Sequence, residues 1–88
     1  MSLKIEFESL LGNLETVREE LQLKQHLASM DAKDEFAEAE KQWQLVKNKA
    51  SDIADESVET SEEYIAKAKI VGEELKEAYQ RVAKRLTE

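Results

Sequence analysis

His26 is the only histidine in this 88-residue chain, and histidine is the side chain most suited to proton transfer or metal binding near neutral pH. On a helix its neighbours three and four positions away are Gln22, Leu23, Ser29 and Met30, none of them a carboxylate. Carboxylate-bridged metal sites in helical bundles need a Glu three residues before a His, supplied from more than one helix. The residue three before His26 is Leu23, so no metal site and no cofactor is expected, and His26 reads as exposed or interfacial.

The acid pairs Glu19-Glu20, Glu62-Glu63 and Glu73-Glu74 raise the question of acid–base catalysis. A catalytic carboxylate needs burial or a close like charge to move its pKa. These pairs fall on polar helix faces, where Glu20–Lys24, Glu63–Lys67 and Glu77–Arg81 are four-apart partners. There is no cysteine nucleophile and no glycine-rich phosphate loop, and helical spacing assembles no serine–histidine–carboxylate set. No catalytic residue is assigned, and the chain is expected not to be an enzyme. Trp43, the lone tryptophan, lies on an apolar stripe with Phe36, and Tyr79 lies on another. All three are read as core residues or interface anchors, since Trp and Tyr are enriched where binding energy concentrates. Arg81, Lys84 and Arg85 sit where cations complement the C-terminal end of a helix dipole.

The elements that must carry these residues are helices. The chain has no proline and only two glycines, Gly12 and Gly72, so little in it breaks a helix. Leu3, Phe7, Leu10, Leu14, Val17 and Leu21 alternate at four and three residues, a heptad stripe. Phe36, Ala39, Trp43, Val46, Ala50 and Ile53 form a second stripe, one residue out of step with the first. Such a slip either straightens a continuous helix or marks a turn. Ile65, Ala68, Gly72, Leu75, Tyr79, Val82 and Leu86 form a third, widened by Tyr64, Val71, Ala78 and Ala83. Gly72 within that broad face lets another helix approach closely.

Two places offer a turn. Residues 55–61 are weak helix formers, and Thr60 with Glu63 fits a capping box, which sets a helix over about 60–87. Residues 29–34 offer Asp31 as a cap but no glycine, asparagine or proline, so the helix is expected to continue through them. The fold class is all-α, one domain over 1–88. The preferred architecture is a long antiparallel coiled-coil hairpin: helix A over about 3–54, a turn at 55–60, helix B at about 60–87. Helix A is then roughly 78 Å long and helix B roughly 42 Å. Helix B covers only part of helix A and leaves Phe7, Leu10, Leu14, Val17 and Leu21 bare. That stripe is therefore the expected self-association seam of a dimer. The alternative breaks the chain at 29–34 as well and gives a monomeric three-helix bundle, which the near-equal thirds of the sequence favour.

Charge and hydropathy limit the partners. The net charge is −7, concentrated in residues 31–59 with nine acids and four bases, which argues against nucleic acid. The same sign argues against anionic membrane surfaces, and no apolar run reaches the roughly 18 residues of a membrane span. A cytoplasmic location is the expectation. The pairing of Asp31-Ala32-Lys33, with Phe36 nearby, and Leu75-Lys76-Glu77-Ala78-Tyr79 resembles small bacterial coiled-coil proteins associated with stress responses. That resemblance implies a non-enzymatic helical protein and transfers no functional residue. The expected function is a self-associating interaction or scaffold protein. The alternative is an adaptor or regulatory module that exchanges its self-association helix for a protein partner.

Overall fold

The computed structural model describes residues 2–55 and 60–86, and the only regular structure among them is helical. Helix α1 spans Leu3–Lys24, α2 spans Met30–Ala54 and α3 spans Glu62–Leu86, with a short 3-10 turn at Gln25–Leu27. Of the two architectures the sequence allowed, the three-helix bundle is the one that forms.

Each helix begins on a serine whose hydroxyl accepts a backbone N–H of the first turn, the group that a helix start otherwise leaves unpaired. Ser2 takes Ile5 N at 3.2 Å, Ser29 takes Ala32 N at 3.2 Å and Ser61 takes Tyr64 N at 3.1 Å. Two expectations are corrected here. The cap of α2 is Ser29, not Asp31, and the cap of α3 is Ser61, not Thr60, so no Thr60–Glu63 capping box sets that start. The second turn falls largely on residues 56–59, which lie outside the described residues.

The expected uninterrupted helix over 3–54 is also corrected. Ala28 and Ser29 leave the helical region through ψ alone, at 148° and 166°, while φ stays at −79° and −66°. No left-handed residue is needed, which is why the corner carries no glycine or asparagine. The Ala28 N–H donates to the Gln25 carbonyl at 2.9 Å, and His26 Nδ1 donates to the Leu23 carbonyl at 2.8 Å. The energetic reason for the corner lies elsewhere. Bending there folds α1 back so that its apolar stripe is covered, and each large apolar side chain so buried contributes about 2 kcal/mol. The lost helix propensity of a few corner residues amounts to less than about 1 kcal/mol each.

The helices run up, down and up. Lys69 of α3 meets Glu6 of α1 near the start of both, whereas Arg85 meets Glu35 and Tyr64 meets Asp52, so α3 is parallel to α1 and antiparallel to α2. Helix α3 packs along both others, while α1 and α2 touch each other far less. This answers to its broad apolar face. Gly72 lies under Leu10 and Leu14, and a Cβ there would stand 2.8 Å from Leu10 Cδ2, so the missing side chain is what admits α1.

The stripe expected to associate with another chain is core. Phe7 and Leu14 are 1% exposed, Leu21 3% and Leu10 9%, and Val17 packs half-buried beside them. They meet helices of the same chain. The premise for a dimer through a bare Phe7–Leu21 seam is therefore gone.

Candidate functional site

All three helices meet in a polar junction at Glu40. The α2 stripe buries Phe36, Ala39 and Trp43, and a residue one step from Ala39 stands at the edge of that face, half-exposed. Arg18 occupies the matching edge of α1. Its guanidinium grips the Glu40 carboxylate with two bonds, Nε to Oε1 at 2.8 Å and Nη2 to Oε2 at 2.9 Å. This is the forked arrangement that makes arginine–carboxylate pairs directional. From α3 the Tyr79 hydroxyl donates to the same Oε1 at 3.2 Å. Arg18 also lies over the Trp43 ring, 5.4 Å from its centroid, and Phe36 stacks on Tyr79 at 6.2 Å.

The electrostatics follow from those contacts. Burial pushes the Tyr79 phenol well above the ordinary tyrosine range, and the Glu40 charge adds to the effect, while Arg18 opposes it. The Arg18 guanidinium is held protonated even more firmly than usual, by its hydrogen bonds to Glu40 first, with burial working the other way. Tyr79 is therefore neutral and Arg18 charged across the physiological range. Neither is poised to exchange a proton near pH 7, where general acid–base work requires a matched pKa. Both oxygens of Glu40 are already engaged. The arrangement joins helices.

The remaining candidates are dispersed. Trp43 is 2% exposed and Tyr79 fully buried, and both belong to the junction as well as to the core; Phe36 is 5% exposed and stacks at its side. His26 is exposed at the α1–α2 corner, where its Nδ1 is bound to backbone. Among the described residues no group of three or more His, Cys, Asp or Glu side chains is arranged to hold a metal ion. Glu63–Lys67 does form a pair at 3.5 Å, exposed at both ends. Arg85 does more than complement a helix dipole, because its Nε reaches Glu35 Oε1 of α2 at 2.8 Å. The second oxygen of Glu35 is buried without a hydrogen-bond partner among the described residues.

Two concavities matter for recognition. An open groove of about 360 Å³ between α2 and α3 is lined by Asp34, Glu35, Glu38, Ala39, Gln42, Ala78 and Arg81. A small, partly open apolar cavity of about 50 Å³ lies between α1 and α3 beside Leu14, Val17 and Tyr79. The first is shallow, with charged walls, and the second has room for no more than a few water molecules.

Sequence reasoning named Phe36, Trp43 and Tyr79 but missed Arg18 and Glu40, the two residues that tie them together. The only signal was position: Arg18 and Glu40 each lie one residue off an apolar stripe. No described helix is long and apolar enough to cross a membrane. Comparison with protein-family models, with curated proteins and with solved structures returned no significant match.

Proposed function

We propose that this chain is a non-enzymatic helical interaction protein of the cytoplasm, acting as a small scaffold. One observation carries the reading. Among the described residues the two most exposed large apolar side chains, Leu23 at 76% and Met30 at 74%, flank the same corner between α1 and α2. Isolated exposed apolar residues are ordinary on protein surfaces. Two on either side of one tight corner, one of them an adaptable methionine, offer a contact point for another protein. The chemistry of the Glu40 junction supports the same class, because its ionisable groups are committed to one another. The likeness to stress-associated helical proteins points the same way.

Lys24 and Lys33 are exposed beside Leu23 and Met30 and so make cross-linking a direct test. Amine cross-linking of the native protein in cell extract should join a partner mainly through those two lysines. The double variant Leu23→Glu/Met30→Glu should lose these products while keeping its helical signal. Products spread evenly over all lysines, or unchanged in the variant, would overturn the reading.

A further inference from the structure

We propose that the chain also associates with a second copy of itself by exchanging α1: the corner straightens, residues 3–54 become one helix, and each α1 lies on the α3 of the other chain. This goes beyond the corner as a docking point, and it does not depend on which protein Leu23 and Met30 meet.

The corner is built to be reversible. Residues 22–34 contain no glycine and no proline, the turn at Gln25–Leu27 is already 3-10 helix, and Ala28 and Ser29 leave the helical region through ψ. Returning those two torsions to the helical range and relaxing the 3-10 turn to α-helix makes the segment continuous. Among the described residues the corner is held by a serine cap, one backbone bond and the exposed His26 contact.

Phase is the second observation. Leu21 ends the α1 stripe and Ala32 opens the α2 stripe, eleven residues later. Eleven residues are three turns at 3.67 residues per turn, within about 20° of a straight helix. The two buried faces would therefore lie along one side of a single rod. A bend leaves the phases of the two helices free, so folding as a closed bundle does not demand this alignment.

The exchange keeps the native contacts. Leu10 against Gly72, Lys69 with Glu6 and Arg18 with Glu40 would re-form between copies instead of within one. An exchanged dimer differs from the closed chain only at the corner, so corner energetics and concentration set the balance between them.

Ser29 provides a matched pair of variants. Ser29→Ala and Ser29→Pro both remove the hydroxyl cap, and proline tolerates the native Ser29 φ of −66° after an extended Ala28. Only alanine accepts a continuous helix, and the difference in helix interiors is worth roughly a hundredfold per chain. Each protein is refolded at about 1 mM, then followed by sedimentation equilibrium and small-angle X-ray scattering. Ser29→Ala should dimerise at least a hundredfold more tightly than Ser29→Pro. Its dimer should be about 80 Å long, set by the roughly 78 Å rod, against 43 Å for the closed bundle. Dissociation constants within threefold of each other, a compact side-by-side dimer, or monomers throughout would overturn the proposal. Should Ser29→Pro not fold, a Gly-Gly insertion between Ala28 and Ser29 interrupts the rod while keeping the cap, and the same outcomes apply. Failure here leaves the Lys24 and Lys33 cross-linking result to stand or fall separately.

Discussion

The two faces of α3 present similar heptads yet make different kinds of seam. Towards α1 the contact is apolar, with Leu10 and Leu14 laid over Gly72, and the Lys69 bond to Glu6 lies at its edge, 3.3 Å long. Towards α2 the contact is aromatic and directional: Phe36 on Tyr79, Tyr79 to Glu40, Tyr64 to Asp52 at 3.0 Å, and Arg85 to Glu35. Apolar burial scales with area and is indifferent to direction, whereas a phenol bond or an arginine–carboxylate contact works at one register only. The comparison assigns strength to the α1 seam and alignment to the α2 seam.

The largest expected effect tests the first half of that division. Leu14→Ala should destabilise by about 3 kcal/mol, because a side chain 1% exposed is removed from a packed seam. Denaturant unfolding measures it, and a loss below about 1 kcal/mol would break the comparison. Next comes Glu40→Ala, with an expected loss of about 2 kcal/mol, since it strands Arg18 and Tyr79 together. Glu6→Ala removes a longer ion pair, 3.3 Å against 2.8 Å for Arg18–Glu40, at the α1–α3 seam and should cost under about 0.5 kcal/mol, since the partly exposed Lys69 can turn to water. Equal losses from the two would erase the distinction.

Tyr79→Phe sharpens it further. At neutral pH it should cost about 1 kcal/mol, the worth of one hydrogen bond. The pH dependence has a definite sign. The folded Tyr79 resists ionisation while the unfolded one ionises at the ordinary value, so its stabilisation is full below about pH 10 and is lost as pH rises further. The variant should therefore lose stability less steeply in alkali. Some slope will remain from Tyr64, whose phenol is also shifted upward, by desolvation and by Asp52.

The two glycines give the last comparison. A Cβ added at Gly12 would meet nothing within 4 Å, so Gly12→Ala should stabilise by about 1 kcal/mol through helix propensity. At Gly72 the same gain is offset by displacement of Leu10, and the net change in thermal midpoint should be near zero.

Much of the helical content was legible because the 3.6-residue period of the stripes states which face of each helix is buried. Gly72 was legible for the same reason, being the smallest residue on the broadest stripe. Arg18 and Glu40 were not. Their pairing spans 22 positions and two helices, and nothing local to either residue records it. The caps were missed by one or two positions, since Ser29 and Asp31, or Thr60 and Ser61, are chemically alike and only the chain path chooses between them.

What the sequence determined by itself was helix and phase: the absence of proline, the three stripes and the face each turns inward are properties of nearest neighbours along the chain. Tertiary structure alone decided that the chain turns at Ala28 and Ser29, that α3 lies against both other helices, and that Phe7 to Leu21 is covered from within. The physical reason is one of scale. Propensity differs by tenths of a kcal/mol per residue at a corner of good helix formers, and covering a row of leucines outweighs it several times over. A period names the face to be buried; only the assembled bundle names the neighbour that buries it.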